Sequence, residues 1–461
     1  MTYSQKKWTL EECILYAREN NLQIRQSAVT AEVNRENLTQ SKLSVLPTVN
    51  AGASQNYSWG RNVDPTSNSF TDQQTRSNSF ALNSSMSLFN GFQKVNSVRQ
   101  SQMDYKASQM DLERSKNDIA LAVAQYYLQI LFNRELLAAA ERQSDIIKLQ
   151  VERTRKLVDA GTLPKGSLYE IQAQEASEEA NVIAAQNQLE LSYLDLAQLL
   201  DLKSTVGFEI VIPDLKLEEN PILPDPITVY AKALETQPDI KSAEFRLKSN
   251  SIGVSIARGM RLPSLSMSFY YGTNYIADYK DYSKLKSGPT LISETPTSYY
   301  VQGTNQVIMQ KNYATEFETL SFKDQLDRNL SKSLTFNLNI PIFNGYQASS
   351  SVKRAKLNAL NAEYSLETNK NQLRKKIEQA YADAQGAMKS YVAAQKSTLA
   401  FKESFTYTEQ KFLVGVTNSI EYNTAKNNLF KAESESLKSK YNFIFKKMIL
   451  DFYAGNTLVI K

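Results

Sequence analysis

Histidine is missing altogether from this chain of 461 residues, which removes the commonest general base and the commonest metal ligand. Cysteine occurs once, at Cys13, so no internal disulfide and no cysteine-based zinc site can be built. That residue lies in an amphipathic stretch, LEECILYA, where it reads as a small core hydrophobe. Glycine (15) and proline (12) are scarce for this length, which favours long uninterrupted helices. Charge of one sign is also missing: 53 Lys and Arg against 48 Asp and Glu leave +5, too little to argue for nucleic-acid binding. No run of eighteen apolar residues exists, so no transmembrane helix is expected. The greasiest stretch, Ile119 to Phe132, is broken by Gln125 and Gln129. No signal-peptide pattern opens the chain, so an exported protein is expected here in processed or trimmed form.

What is present is a duplication. An offset of 216 carries Ala17 onto Ala233, Ile24 onto Ile240 and Leu46-Pro47 onto Leu262-Pro263. An offset of 254 carries LFNGFQ at Leu88 onto IFNGYQ at Ile342, Gln125 onto Gln379, Tyr127 onto Tyr381 and Gly161 onto Gly415. The two offsets differ by an insertion of 38 residues between the LP and FNG marks of the second copy. Ordered self-similarity of this kind sets the architecture before any local reading.

Each copy has one succession of textures. The first repeat, 1–202, holds a helix at 9–43, strands at about 47–60 and 78–90, a long helix at 94–159 and a helix at 167–201. A Pro-bearing, non-periodic linker follows at 203–225. The second repeat, 226–455, holds a helix at 226–259, strands at about 263–276 and 332–343, a long helix at 346–413 and a helix at 419–452, before a tail at 456–461. Pro47 and Pro263 lack an amide donor and push the preceding Leu from helical angles, so each first helix ends there.

The strand segments alternate with period two. Phe80, Leu82, Met86 and Leu88 form one apolar set, Leu265, Met267, Phe269 and Tyr271 a second, and Leu334, Phe336, Leu338, Ile340 and Ile342 a third. The residues between them are mostly small and polar. This pattern fits a strand half-buried on a soluble core, and equally a barrel strand apolar to lipid and polar to a wet lumen.

The helices bear on that choice. Sixty-odd residues without proline or glycine give a rod of roughly 100 Å, longer than a compact domain holds. In 346–413 a 3–4 spacing runs through Leu373, Ile377, Ala380, Ala384, Ala387, Tyr391, Ala394, Thr398, Phe401, Phe405, Thr408 and Phe412, a heptad seam of left-handed supercoiling. Four strands in a membrane leave unpaired edges, so several chains would have to share one barrel.

Over almost its whole length the chain resembles the outer membrane efflux protein family. The resemblance rests on Leu46-Pro47 and Leu262-Pro263, on FNG at 89–91 and 343–345, and on the turns GTLPKGSLYEIQAQ from Gly161 and GVTNSIEYNTAKNNL from Gly415, in duplicated order. It implies a mainly α fold with a membrane β-barrel: a duplicated helix–hairpin–long helix–helix unit, four strands per chain, and a trimeric 12-stranded β-barrel continuous with a periplasmic α-helical barrel. It also implies a homotrimer in outer-membrane lipid of a Gram-negative bacterium, extending into the periplasm. Its role would be a passive exit duct of a tripartite efflux or type I secretion system, opened by a periplasmic adaptor and an inner-membrane transporter. No enzyme activity, cofactor, metal or nucleic acid is expected.

By the same resemblance Glu421 matches the first acidic position of a constriction at the periplasmic tip, and a ring of three would favour cations. The second acidic position falls on Thr424, a departure from the family. Phe412 matches an aromatic that helps hold the tip closed. Gly161, Thr162, Gly415 and Val416 match the adaptor-docking tips. Plain readings stand beside these: Glu421 as a helix-start glutamate, Phe412 as the last seam residue, the glycines as C-caps. Ser167 is a plausible N-cap of the helix after the first turn. Two other functions fit the sequence less well. A soluble coiled-coil scaffold or tether leaves the one-sided strands unexplained, and a two-carboxylate hydrolase lacks any phosphate loop or nucleophile elbow.

Overall fold

A computed structural model describes residues 7–63, 70–72, 74–213 and 222–458. Parts of the 61–77 loop, the 203–225 linker and the 456–461 tail therefore lie outside the described residues. From the N-terminus, β1 (Lys7–Trp8) leads into α1 (Leu10–Asn20) and α2 (Leu22–Leu43). Then come β2 (Thr48–Ser58), β3 (Arg61–Val63), β4 (Phe70–Asp72), β5 (Thr75–Asn90), α3 (Gln93–Asp159) and α4 (Lys165–Leu199). After β6 (Glu209–Ile210) the plan runs again with α5 (Pro226–Thr236), α6 (Pro238–Gly259) and β7 (Ser264–Ile276). An added segment holds β8 (Lys280–Leu285), β9 (Thr290–Tyr300), β10 (Val307–Ala314), β11 (Phe317–Thr319) and α7 (Phe322–Arg328). β12 (Ser331–Asn339), α8 (Gln347–Leu413) and α9 (Ser419–Tyr453) close the chain. The duplication is exact in helix length: α3 and α8 each have 67 residues, α4 and α9 each 35.

Compact units cut across the repeats. A helical unit takes the described residues of Met1–Thr39, Ser97–Val254 and Lys353–Lys461; a sheet unit takes Gln40–Asn96 and Ser255–Val352. Sequence duplication and spatial compactness thus divide the chain differently.

The first helix of each copy, read from sequence as continuous over 9–43 and 226–259, is broken in two. The breaks fall 216 residues apart, at Asn21 (ψ 128°) and Gln237 (ψ 128°), both extended. In the second copy the cause is Pro238, which disfavours helical angles before it. In the first, Asn21 does the same with its side chain. Its Oδ1 accepts from the amides of Gln23 (2.9 Å) and Ile24 (3.3 Å), and its Nδ2 donates to the Leu199 carbonyl (2.8 Å). The partners match. Asp201, at φ 55° beyond α4, accepts from the Leu22 amide at 2.8 Å. The corresponding positions are Gly455 and Pro238, where there is neither a carboxylate nor an amide. Copy one tolerates a left-handed aspartate where it has an N–H to satisfy; copy two uses glycine where it has none.

The helical core gathers the greasy middle of α3. Ile119, Val123, Tyr127, Ile130 and Leu131 pack with Leu10, Cys13, Ile14 and Ala17 of α1 and with Tyr441, Ile444 and Met448 of α9. Cys13 is fully buried, and burial pushes its thiol up to about 12. The Tyr127 hydroxyl donates to the Val211 carbonyl at 2.5 Å beside the β1–β6 pair. A second cluster joins Val229 and Ala233 of α5, Ile240 and Ala243 of α6, and Leu373 and Ile377 of α8. Among the described residues no helix is long and apolar enough to cross a membrane; that bears on helices alone.

In the sheet unit four antiparallel strands run in the order β12-β7-β5-β2. The register sorts side chains into rows by chemistry. Thr335, Ser268, Ser85 and Thr48 stand opposite one another across all four strands, and so do Ser333, Tyr270, Asn83 and Asn50. On the other face, Leu334, Phe269, Ser84 and Val49 run between these two rows, and Phe336, Met267 and Met86 run on the far side of the first. Two details depart from the sequence reading. The ladder slips between Ser87 and Phe89, so Phe89 rather than Leu88 faces Leu265. β12 stops at Asn339, short of the expected 343, because Pro341 has no amide for the ladder, and Ile342 and Phe343 are exposed.

Candidate functional site

The long hairpins α3–α4 and α8–α9 end in matching turns. Gly161 (φ 74°) donates to the Val158 carbonyl at 2.9 Å and Thr162 to Leu157 at 2.9 Å. Gly415 (φ 78°) donates to Phe412 at 3.1 Å and Val416 to Lys411 at 2.9 Å. Both are Schellman caps, which need a left-handed residue at the first position past the helix. A Cβ at either glycine would meet no atom within 4 Å, so only the backbone angle demands glycine there. Gly161 and Thr162 therefore share one exposed tip, and Gly415 and Val416 the other.

The helices leave the turns differently. Ser167 is not the N-cap expected for α4. Pro164 occupies that position without a side-chain cap, and Ser167 lies in the first turn with its amide on the Pro164 carbonyl at 3.1 Å. α9 is capped in full: the Asn418 side chain accepts from the Glu421 amide at 2.9 Å, and the Glu421 carboxylate accepts from the Thr417 hydroxyl. Glu421 thus sits at the positive end of α9, exposed, with its carboxylate fixed by its own turn.

Glu421 and Thr424 line one groove between α8 and α9, with Ser404, Thr408, Lys411 and Asn428 among its walls. Thr424 is exposed and donates its hydroxyl to the Ile420 carbonyl at 2.8 Å, so it supplies no charge beside Glu421. Phe412 is not a groove residue. It stacks on Tyr422 with centroids 4.6 Å apart, and Phe405 approaches the same ring at 5.4 Å.

Tyr422 and Lys426 were missed in the sequence. Tyr422 is buried between the two phenylalanines, and its hydroxyl accepts from Gln150 of α3, so one ring ties three helices. Burial raises its phenol pKa. One turn on, Lys426 is 4% exposed, and among the described residues its ammonium meets no hydrogen-bond partner. Burial pushes it down to about 8, against the pull of Glu178 and Glu409. Glu178, itself buried, accepts from Gln174 (2.7 Å) and Asn181 (3.0 Å). The signal was the i, i+4 spacing of Tyr422 and Lys426, which places both on one face of α9.

Comparison with known proteins bears on the family and the fold. The family model described as outer membrane efflux protein matches residues 14–201 and 308–455. The chain is 20% identical to outer membrane protein TolC of Escherichia coli over 94% of this chain and 79% of that protein. It is 19% identical to outer membrane efflux protein BepC of Brucella suis over 95% of this chain and 83% of that one. The solved CmeC outer membrane channel of Campylobacter jejuni is similar in fold, with a TM-score of 0.76 at 18% identity, covering 96% of this chain and 85% of CmeC. With a family match over most of its length, matched hairpins and a four-stranded sheet sorted into polar and apolar rows, the chain belongs to the outer membrane efflux protein family.

Proposed function

We propose that three copies of this chain close a twelve-stranded barrel in the outer membrane, and that their helical units line a periplasmic tunnel, forming a passive exit duct. The observation that carries this is the sheet: among the described residues β12 and β2 pair with no further strand on their outer sides, with apolar rows on one face and Ser, Thr and Asn rows on the other. A free edge in hydrocarbon leaves amides and carbonyls unpaired, and only closure by further strands satisfies them. Three identical sheets satisfy every edge, with the apolar rows toward lipid and the polar rows toward a wet lumen. An inner-membrane transporter supplies cargo and energy, and a periplasmic adaptor docks at the tips of Gly161 and Thr162 and of Gly415 and Val416. The Glu421 carboxylates, one per copy, form the constriction with Thr424 beside them. Opening then means moving α8 and α9 at the tip, against the Phe412–Tyr422–Phe405 stack and the Gln150 hydrogen bond. No bond is made or broken in the cargo.

Conductance in planar bilayers tests the reading. Purified protein should form cation-preferring channels, and Glu421→Gln should move the cation-to-anion permeability ratio toward one without loss of conductance. An unchanged ratio removes Glu421 from the constriction; absence of conductance from well-folded protein removes the duct.

A further inference from the structure

Among the described residues Lys426 is the only Lys or Arg that is buried. It lies on α9 one turn beyond Tyr422, whose ring meets Phe405 and Phe412 of α8 and whose hydroxyl accepts from Gln150 of α3. A buried ammonium is tolerated when a carboxylate pairs with it closely. Here its Nζ meets no hydrogen-bond partner among the described residues. The acids whose charge it feels are Glu178 of α4 and Glu409 of α8. Both oxygens of Glu178 are taken up by amides of its own helix: Oε1 accepts from Gln174 at 2.7 Å and Oε2 from Asn181 at 3.0 Å. The carboxylate buried nearest in kind is thus held by α4 and makes no bond to α9.

The duplicated hairpin shows the contrast. The offset of 254 that carries Gly161 onto Gly415 also carries Leu168 onto Tyr422 and Gln172 onto Lys426. Leu168 packs with Ile147, Val151 and Ile171 in a plain apolar cluster, and Gln172 is half-buried and neutral. An unpaired charge is therefore buried in α8–α9, the hairpin that opening has to move, and at the matching place of α3–α4 there is none.

We propose that Lys426 is a loaded charge that biases the tip toward opening: close packing holds its ammonium from water without a bonded counter-ion, and moving α8 and α9 away from α3 and α4 returns it to water. The proposal rests on the duct reading above. The aromatic stack and the Gln150 bond hold the tip together, and Lys426 works against them, so a docking partner has less to overcome. Burial lowers the ammonium from 10.5 to about 8, against the pull of the two glutamates. That sets a ceiling of about 300-fold on the bias. A neutral residue also deprives Glu178 and Glu409 of a cation, which leaves a net effect of about tenfold.

The test uses full-length trimers carrying Lys426→Met or Lys426→Gln, the second being the residue that the first hairpin has at this position. Hydrogen exchange of the amides from Tyr422 to Asn428 should slow about tenfold in both, while the core amides from Ile119 to Leu131 keep their wild-type rates. In planar bilayers the open fraction should fall by a similar factor. Faster exchange at the tip, or more frequent opening, would make Lys426 a latch held by its glutamates and overturn the proposal. Unchanged rates and unchanged opening overturn it as well, since burial of the ammonium would then have no bearing on the tip. Trimers of the wild type that pass no ions defeat the duct itself; exchange at Tyr422 to Asn428 then decides the loaded charge alone.

Discussion

Replacing Lys426 with methionine should make the protein more stable, although it removes a cation lying near two glutamates. The ammonium titrates at about 8 in the fold against 10.5 unfolded, because burial outweighs Glu178 and Glu409. A difference of this size costs the folded state on the order of 3 kcal/mol at neutral pH, where both forms are charged. Glu178 loses its neighbouring cation in the variant, which offsets part of the gain, so Lys426→Met should gain about 1–2 kcal/mol. The sign with pH follows from the lowered pKa. Between about 8 and 10.5 the unfolded chain holds the extra proton, so wild-type stability rises with pH there, and the advantage of Lys426→Met should shrink over that window. Denaturant unfolding followed by helical circular dichroism, with variant and wild type compared at pH 7 and pH 10, reads the difference while other titrating groups cancel. A variant less stable than wild type at pH 7 would refute the reasoning, since the two glutamates would then outweigh burial.

Tyr422 gives a second contrast. Tyr422→Phe loses only the bond from Gln150 and should cost about 1 kcal/mol, whereas Tyr422→Ala opens the stack with Phe405 and Phe412 and should cost about 3–5 kcal/mol; hydrogen exchange of the α8–α9 tip separates the two. Gly415→Val should cost about 1–2 kcal/mol through its left-handed angle and, in cells, should impair export while trimers persist; full export would leave Gly415 a cap and nothing more. At Asp201, substitution by glycine relieves the angle but frees the Leu22 amide, and the two changes should cancel to within about 1 kcal/mol. Asp201→Ala keeps the angle and loses the bond, so a thermal melt should place it clearly below Asp201→Gly.

Long-range order was legible in the sequence wherever a residue type acts alone. Missing proline, with Gly386 the single glycine in either long helix, is enough for 67-residue helices, and the repeated FNG and glycine marks fix where the helices begin and turn. Features set by a distant partner were not legible. The break at Asn21 is set partly by its own side chain, a local cap that an asparagine can signal, and partly by the Leu199 carbonyl, 178 residues away, which the sequence does not show. The mismatch of Ser167 has a local cause: Pro164 takes the capping position first and has no side-chain acceptor. Following the seam on α8 alone located Phe412 but missed what it stacks on, since Tyr422 lies on the partner helix. The β9–β10 ribbon escaped notice because register shifts and Pro296 interrupt its alternation.

Native mass spectrometry of the detergent-extracted protein tests the central claim most directly. Three chains per particle, with three-fold symmetry in low-resolution images, is the expected result. A stable monomer that stays in aqueous buffer without detergent, with its apolar sheet rows accessible to water-borne label, would contradict it.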